Sequence, residues 1–507
     1  VSFYVTTPIY YVNAEPHLGH AYSTIGADVL ARHMRQRGEE VFFVTGTDEH
    51  GEPVVIAAEA QGTTPQELVD RNAPRFEALT EKIDVTNDFF IRTTNPEHMA
   101  EVQRVWQQIH DNGYVYKGLY EGWYCPKCAD FKGEHEIADG NTCPIHRIPL
   151  DRESEDSWFF KLSALQEPLE KLFAERPDWV LPRHRYNEAL SFIKGGLRDV
   201  ALSRSKISWG IKLPWDPDHV MYVWFDALLN YWTAPKIAAT EVARPDAEIW
   251  PPSVQVMAKD IVKFHAVYWP AMLMALGVPL PERMFVHGYL LMDGEKMSKS
   301  LGNVLDPNKV VDLFGSDALR FYCFREVSFG NDGSISTEGF ETRYNSELAN
   351  EYGNLASRSL AMINKYRDGV VPARSSSTGL EDDFAGAAER LTEKIDALEL
   401  SAALEEVWLL VRRLNRFVEE QAPWKLAKDE SAAEHLDATL YGLAEGLRVV
   451  SILLNPWIPR ASLALLGALG HADQAGSLDA ATFGEGEGGE SVAALEPLFP
   501  KLEPAGG

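Results

Sequence analysis

The 507-residue chain has no apolar run long enough to span a bilayer and no basic-then-apolar N-terminal segment of the kind that directs export. A cytoplasmic protein is expected. Strand-like residues follow Val1 at once, so little of the fold is expected to precede it. Cysteine is scarce, with four in all, and three of them lie between Cys125 and Cys143. In a chain with no export signal this clustering points to metal binding more than to disulfides. Cys323 stands apart and reads as a small buried apolar residue. Basic charge is short as well: 48 Lys and Arg against 75 Asp and Glu give a net charge of −27. A mean field of that sign repels phosphates, so any nucleic acid must be read by local basic or aromatic patches. There is no internal repeat.

An α/β pattern with a parallel sheet is present. Phe3, Tyr4 and Val5 form a short apolar run suited to a buried strand, broken by Thr7-Pro8. Ile25, Val29, His33 and Met34 then recur at helical spacing, and Gly38 stands where a helix would stop. Val41–Thr45 is a second strand-like run. Together they make a βαβ unit with a right-handed crossover, whose ligands would lie beyond the strand carboxyl ends at the helix N-terminus. His17–His20 and Asp48 fall there. Strand-like runs return at Met221–Trp224, Val254–Ala258 and Met284–Leu291. The intervening stretch is polar and carries the cysteines, so it reads as an insertion between two halves of one sheet. The expected domains are 1–115 and 211–345 as those halves, 116–210 as the insertion, 346–465 as a helical domain and 466–507 as a Gly/Ala/Glu-rich tail. Leu404, Val407, Val411, Leu414 and Val418 supply the helical stripe. In the tail, Gly484–Gly489 reads as a mobile linker, and Leu498 and Phe499 as a segment that folds back.

Three motifs carry chemistry. His17 and His20 project from one side of a first helical turn, and Gly19 between them leaves room for a nucleotide to approach the backbone. Imidazole and helix N–H donors there suit a charge-laden α-phosphate. Lys296 and Lys299 sit in a Gly/Ser loop with Met297, Ser298 and Ser300, where two ammonium groups would clamp β- and γ-phosphates. Each pattern taken alone is common: two helix-start histidines, or a solvated charged turn. Cys125-Pro126-Lys127-Cys128 followed by Cys143-Pro144-Ile145-His146 is a Cys-x2-Cys…Cys-x2-His set, the ligand count of a closed, structural zinc knuckle. His135 is a rival fourth ligand without the paired spacing.

The runs Thr7–Asn13, His17-Leu18-Gly19-His20, Thr45–Gly51, Tyr222–Ala227, Lys259–His265 and Lys296–Ser300 together resemble bacterial methionyl-tRNA synthetases of class I. Gly353–Arg358 and Gln421–Trp424 resemble that family's anticodon domain, so the likeness runs from residue 1 to about 465. Leu18 replaces the isoleucine common in the class. The resemblance implies a Rossmann-like catalytic domain split by a zinc-containing connective insertion, then an α-helical anticodon-binding domain. It implies ligation of methionine to tRNA(Met) through methionyl-adenylate, with ATP, Mg2+ and structural Zn2+. Ile9, Tyr11, Trp224, Ala227, Tyr231, Ile261, His265 and Trp269 would line the methionine pocket, an aromatic cage suited to a soft sulfur. Tyr11 and His265 would bond the sulfur weakly. Asp48 would hold the substrate ammonium, and Arg204 would match an arginine that moves during activation. Asn354, Arg358 and Trp424 would read the anticodon by edge contacts and stacking, helped by a basic patch of Arg412, Arg413, Arg416, Lys425 and Lys428. A cysteine ligase of the same class would place zinc in the substrate pocket, ligases with a large editing insertion need more chain, and a nucleotidylyltransferase leaves the helical half unexplained. A zinc-containing RNA-binding module explains only the knuckle and the aromatic patch. The short tail favours a monomer.

Overall fold

The computed structural model describes residues 3–126, 130–132, 137–241, 249–292, 295–296, 306–374 and 377–501. The chain divides into two compact units. Unit one comprises residues 1–27, 42–81 and 87–287, and unit two residues 28–41, 82–86 and 288–507.

A six-stranded sheet forms the centre of the first unit. Its early strands are β1 (Phe3–Tyr11), β2 (Val41–Asp48) and β3 (Phe89–Arg92), with helix α1 (Leu18–Gln36) joining the first two. All eight residues of β2 are buried, as the run of Val, Phe and Thr requires of a strand covered on both faces. After α2 (Pro96–Asp111) the chain leaves the sheet as a long antiparallel hairpin, β4 (Val115–Cys125) with β5 (Asp151–Phe160). It comes back at β6 (Val180–Leu181). Two short helices, α3 (Val223–Ala227) and α4 (Asn230–Glu241), lead to β7 (Val254–Ala258), α5 (Trp269–Leu276) and β8 (Arg283–His287). The spatial order is β3-β2-β1-β7-β8-β6. The pairs β2–β3, β1–β7, β7–β8 and β8–β6 are parallel. Strands from either side of the hairpin region therefore meet at β1–β7, where the strand order reverses. The crevice beyond their carboxyl ends is the ligand position that such sheets create.

Two sequence expectations change here. Met221–Trp224 is not a sheet strand. Met221 ends a short antiparallel strand, Asp216–Met221, and Val223 already begins α3, because Trp224 and Ala227 pack as a helical face rather than alternating. The run Met284–Leu291 is cut in two after His287, and its second part enters another sheet.

That sheet belongs to the second unit: β9 (Leu290–Met292), β10 (Glu295–Lys296) and, further on, a strand at Gly333–Ile335 that pairs in parallel with β9. Helices α6 (Ser316–Arg325), α7 (Asn354–Arg367), α8 (Leu400–Gln421), α9 (Pro423–Leu426), α10 (Ala433–Leu454) and α11 (Pro459–Ala468) follow. The predicted stripe of α8 is buried: Leu404, Val407, Val411, Leu414 and Val418. At its end Ala422 adopts a left-handed conformation (φ 46°) and Pro423 opens α9. Arg320 on α6 is buried and acts as a hub, bonding Asp28, the Ile83 carbonyl and the Pro456 and Trp457 carbonyls at 2.6–3.1 Å. The second half of α1 is thus held by the helical unit.

The tail is packed rather than free. The Glu445 carboxylate accepts from Gly484 N at 2.7 Å and Gly486 N at 3.3 Å, and Arg448 donates to the Thr482 carbonyl at 2.8 Å. The Gly484–Gly489 stretch is therefore a strap. Its glycines permit the close approach to Glu445 and Pro372 that a Cβ at Gly486 or Gly488 would block. Phe499 does fold back, with its ring edge-on to Tyr344 at 6.0 Å.

Candidate active site

Strand β1 delivers the chain to the turn that opens α1. His17 O accepts from His20 N at 3.0 Å, closing that turn. The two imidazoles stack with centroids 3.7 Å apart. Each Nδ1 accepts a backbone N–H at 3.1 Å, His20 Nδ1 from His17 N and His17 Nδ1 from Gly19 N. An Nδ1 that accepts leaves the ring proton on Nε2, so both rings present an Nε2–H donor, the polarity an anionic phosphate needs. A Cβ at Gly19 would lie 3.0 Å from the His17 ring, which accounts for the glycine. Leu18 is fully buried, so its exchange for isoleucine is a core substitution of equal size.

The partner motif is described only in part. Lys296 lies in β10, while Met297, Ser298, Lys299 and Ser300 lie outside the described residues.

Asp48 ends β2 and is 3% exposed. Its Oδ1 is a buried atom with no hydrogen-bond partner among the described residues. Burial, with the nearby charges of Asp226 and Glu49, pushes its carboxyl well above the usual range, although the His50 backbone N–H works the other way. A buried carboxylate left this way lacks a cation.

The structure brings most of the aromatic residues together. Trp224 and Ala227 stand on α3 and Tyr231 on α4, with Trp224 half-buried and the other two buried. Ile261 precedes a π-helical turn, Phe264–Tyr268, that carries His265 and leads into Trp269, the first residue of α5. Such widened turns are frequent at functional sites. Tyr231 Oη is 2.8 Å from His265 Nε2, and the Tyr231 and Trp269 rings are 5.8 Å apart. Tyr11 meets Trp224 edge-on at 6.3 Å. The Trp224 Nε1 is buried without a hydrogen-bond partner among the described residues. Ile9 is half-buried against a neighbouring cluster with Tyr4 and Phe42.

His265 is more constrained than expected. Burial lowers it to about 4, so the ring is neutral at pH 7. Its Nδ1 lies 3.0 Å from the Ile261 carbonyl, which only accepts, so the proton is on Nδ1 and Nε2 accepts from Tyr231. Both nitrogens are engaged, which leaves no ring N–H for the weak bond to sulfur that the resemblance implied.

Sequence reasoning passed over Phe264, whose ring stacks on Trp224 at 3.8 Å and 8°. It lies inside the run Lys259–His265, and that was the only signal. Arg204 is buried, ion-paired with Glu155 and 3.5 Å from Glu153, with its guanidinium 4.2 Å over the Tyr124 ring.

Cys125, Cys143 and His146 form a group whose ligand atoms all lie within 4.8 Å of one another, and which can hold a metal ion. Cys128 and His135 lie outside the described residues. His146 Nδ1 is 3.8 Å from Cys125 Sγ and 3.9 Å from Cys143 Sγ. Tetrahedral zinc with ordinary bond lengths separates sulfur and nitrogen ligands by about 3.6 Å, so this donor set suits zinc. His146 N also donates to Cys143 Sγ at 3.4 Å, as a knuckle backbone does to a thiolate.

In the second unit, Asn354 is exposed at the start of α7 and Arg358 follows one turn later. The Arg358 guanidinium lies 5.9 Å over the half-buried Trp424 ring. The expected basic patch is largely neutralised: Arg412 pairs with Glu347, Glu351 and Glu405, and Arg413 with Asp383 and Glu420.

Comparison with known proteins agrees with this geometry. Residues 3–152 and 146–360 match the family described as tRNA synthetases class I (M), which defines the class. Residues 371–505 match the anticodon binding domain of methionyl tRNA ligase. A methionine–tRNA ligase of Caldanaerobacter subterraneus is 45% identical over 506 residues, covering 99% of this chain and 79% of the relative. That of Streptomyces coelicolor is 44% identical over 523 residues, covering 99% and 97%. Mycobacterium tuberculosis methionyl-tRNA synthetase in complex with methionyl-adenylate superposes with a TM-score of 0.93 at 39% identity, over 98% of this chain and 99% of that one. The chain belongs to the methionyl-tRNA synthetase family of class I.

Proposed function

We propose that this chain activates L-methionine with ATP and transfers it to tRNA(Met). The observation that carries the reading is the orphaned carboxylate of Asp48 at the end of β2. It belongs to the same unit as the aromatic hole of Tyr11, Trp224, Tyr231 and Trp269 and the paired Nε2–H donors of His17 and His20. Asp48 takes the substrate ammonium, and the rings take the thioether by dispersion and sulfur–ring contact, roughly 0.3–1.5 kcal/mol each. The substrate carboxylate attacks the ATP α-phosphate, and His17 and His20 donate to the oxygens on which charge develops. Lys296 and Lys299 neutralise the departing pyrophosphate, with Mg2+ carried on the nucleotide. The terminal ribose hydroxyl of the tRNA then attacks the acyl carbon, with AMP as leaving group. Asn354, Arg358 and Trp424 bind the anticodon. Cys125, Cys128, Cys143 and His146 hold a zinc ion that cross-links the insertion and, with four protein ligands, has no open position for chemistry. The site of work is the cytoplasm, where tRNA is charged; none of the described helices is long and apolar enough to cross a membrane.

The test is exchange of labelled pyrophosphate into ATP, run with each amino acid in turn. Methionine alone is expected to support it, and exchange driven by cysteine, or by none, would remove the reading. Zinc analysis of the purified chain is expected to find one equivalent.

A further inference from the structure

A buried hydrogen-bonded chain runs behind the pocket and has no part in the chemistry above. Asp226 lies between Trp224 and Ala227 on α3 and is 1% exposed. Its Oδ2 is 2.6 Å from His50 Nδ1 and its Oδ1 2.8 Å from His98 Nε2. The remaining His98 nitrogen is 2.7 Å from Thr233 Oγ1 on α4. All four residues are buried.

Asp48 is followed by a turn gripped on both sides. The next residue, Glu49, has its carboxylate held by Arg92 (Nε 2.7 Å, Nη2 3.0 Å) and Thr47 Oγ1 (2.6 Å). Trp209 Nε1 donates to the Glu49 carbonyl at 2.7 Å, and its ring meets the His50 imidazole edge-on at 5.5 Å. His50 is then bonded to Asp226. Burial alone would raise Asp226, but the charge and hydrogen bond of His50 and the bond from His98 outweigh it and keep the carboxyl below its usual value. Glu49 and Asp226 are thus satisfied by protein groups, and Asp48, next to Glu49 in the chain, keeps an oxygen unpaired among the described residues. The ends of this chain are also informative. One end is the turn that follows the proposed ammonium partner, the other is Thr233 on α4, and Asp226 between them stands on the helix that presents the apolar wall.

We infer that Asp226, gripped by His50 and His98, is a positioning residue for the amino-acid site. It locks the turn that follows Asp48 to the helix bearing Trp224 and Ala227, and so fixes where the substrate ammonium sits against the apolar wall. The inference rests on the reading of Asp48 as the ammonium partner. A residue acting this way changes methionine recognition and leaves nucleotide recognition alone.

The experiment is Asp226→Asn in pyrophosphate exchange. The expected result is a KM for methionine raised at least tenfold, with the KM for ATP within twofold and kcat within threefold of the parent. An unchanged methionine KM, or a parallel rise in both KM values, overturns the inference. Asp48→Asn, assayed by equilibrium dialysis of labelled methionine, separates the two readings. Undiminished binding there removes the ammonium role itself, whereas weakened binding beside a normal Asp226→Asn removes only the positioning role. If Asp226→Asn loses its native circular dichroism, His98→Gln and His98→Leu decide. Glutamine keeps a donor for Asp226 and should hold the methionine KM within threefold, while leucine raises it tenfold; equal values in both overturn the inference.

Discussion

Asp28 in the second unit and Asp48 in the first are both buried carboxylates, and the fold treats them in opposite ways. Asp28 accepts from Arg320 Nη2 at 2.6 Å, Arg32 Nε at 2.7 Å, and Thr86 N and Oγ1 at 2.7 and 2.6 Å. Burial would raise its pKa, but Arg320, Arg32 and the Thr86 donors outweigh that and hold it below the usual value. Asp48 has carboxylates for neighbours, an unpaired Oδ1 and a raised pKa. Where the fold satisfies one buried acid four times over, an unpaired oxygen on another marks a candidate contact for a ligand group. The comparison separates a carboxylate paired within the fold from one with an oxygen that the described residues leave unpaired, as the ammonium role proposed for Asp48 requires.

The largest expected effect comes from breaking the satisfied pair. Arg320→Met should lower the free energy of unfolding by about 3–5 kcal/mol in urea titration, because it strands Asp28 as an uncompensated buried charge. At a temperature where the variant is folded, its methionine KM should match the parent's. Asp48→Asn should do the reverse. It should weaken methionine by roughly a hundredfold, about 2–3 kcal/mol, while the thermal midpoint stays level or rises. A fall in stability with normal methionine binding would move Asp48 into the structural class. Asp28→Asn should cost about 1–3 kcal/mol of stability, less than Arg320→Met, since Arg320 keeps its four carbonyl partners.

The smallest effect is the pH dependence, and the two acids give it opposite signs. Asp28 has a lowered folded pKa, so its stabilisation is present above the unfolded value near 4 and is lost as pH falls below it. Asp48 has a raised folded pKa, so the penalty for ionising it in the fold develops as pH rises from the unfolded value towards the folded one. Bound ammonium reverses that penalty. Thermal stabilisation by saturating methionine should therefore grow as pH rises from the unfolded value towards the folded pKa, by calorimetry, and the growth should vanish in Asp48→Asn.

Much of the site was legible because it is local. The His17–His20 turn, the Asp48 strand end and the Cys/His spacing are each set within a few residues by helix, strand and knuckle geometry. The run Met221–Trp224 was misread because a short apolar stretch has no period of its own, and only its neighbours decide between strand and helix. The basic patch around Arg412 was overcounted for a related reason. Three of its acids, Glu347, Glu351 and Asp383, lie far away in sequence and reach the arginines only through helix packing, while Glu405 and Glu420 stand on the arginines' own helix. The neutral state of His265 depends on burial, and its Nε2 partner, Tyr231, stands thirty-four positions earlier.

The amino-acid sequence by itself determined the class of chemistry, since residue types and short spacings are what bind phosphate, metal and thioether. It also determined the order of the layers, through hydrophobic runs that can be buried in only a few ways. The tertiary structure decided which charges are satisfied. Asp28 and Asp48 look alike along the chain, and whether a carboxylate finds a guanidinium or keeps an empty lone pair is settled by residues brought from hundreds of positions away, at distances where the low dielectric of the interior makes the difference count.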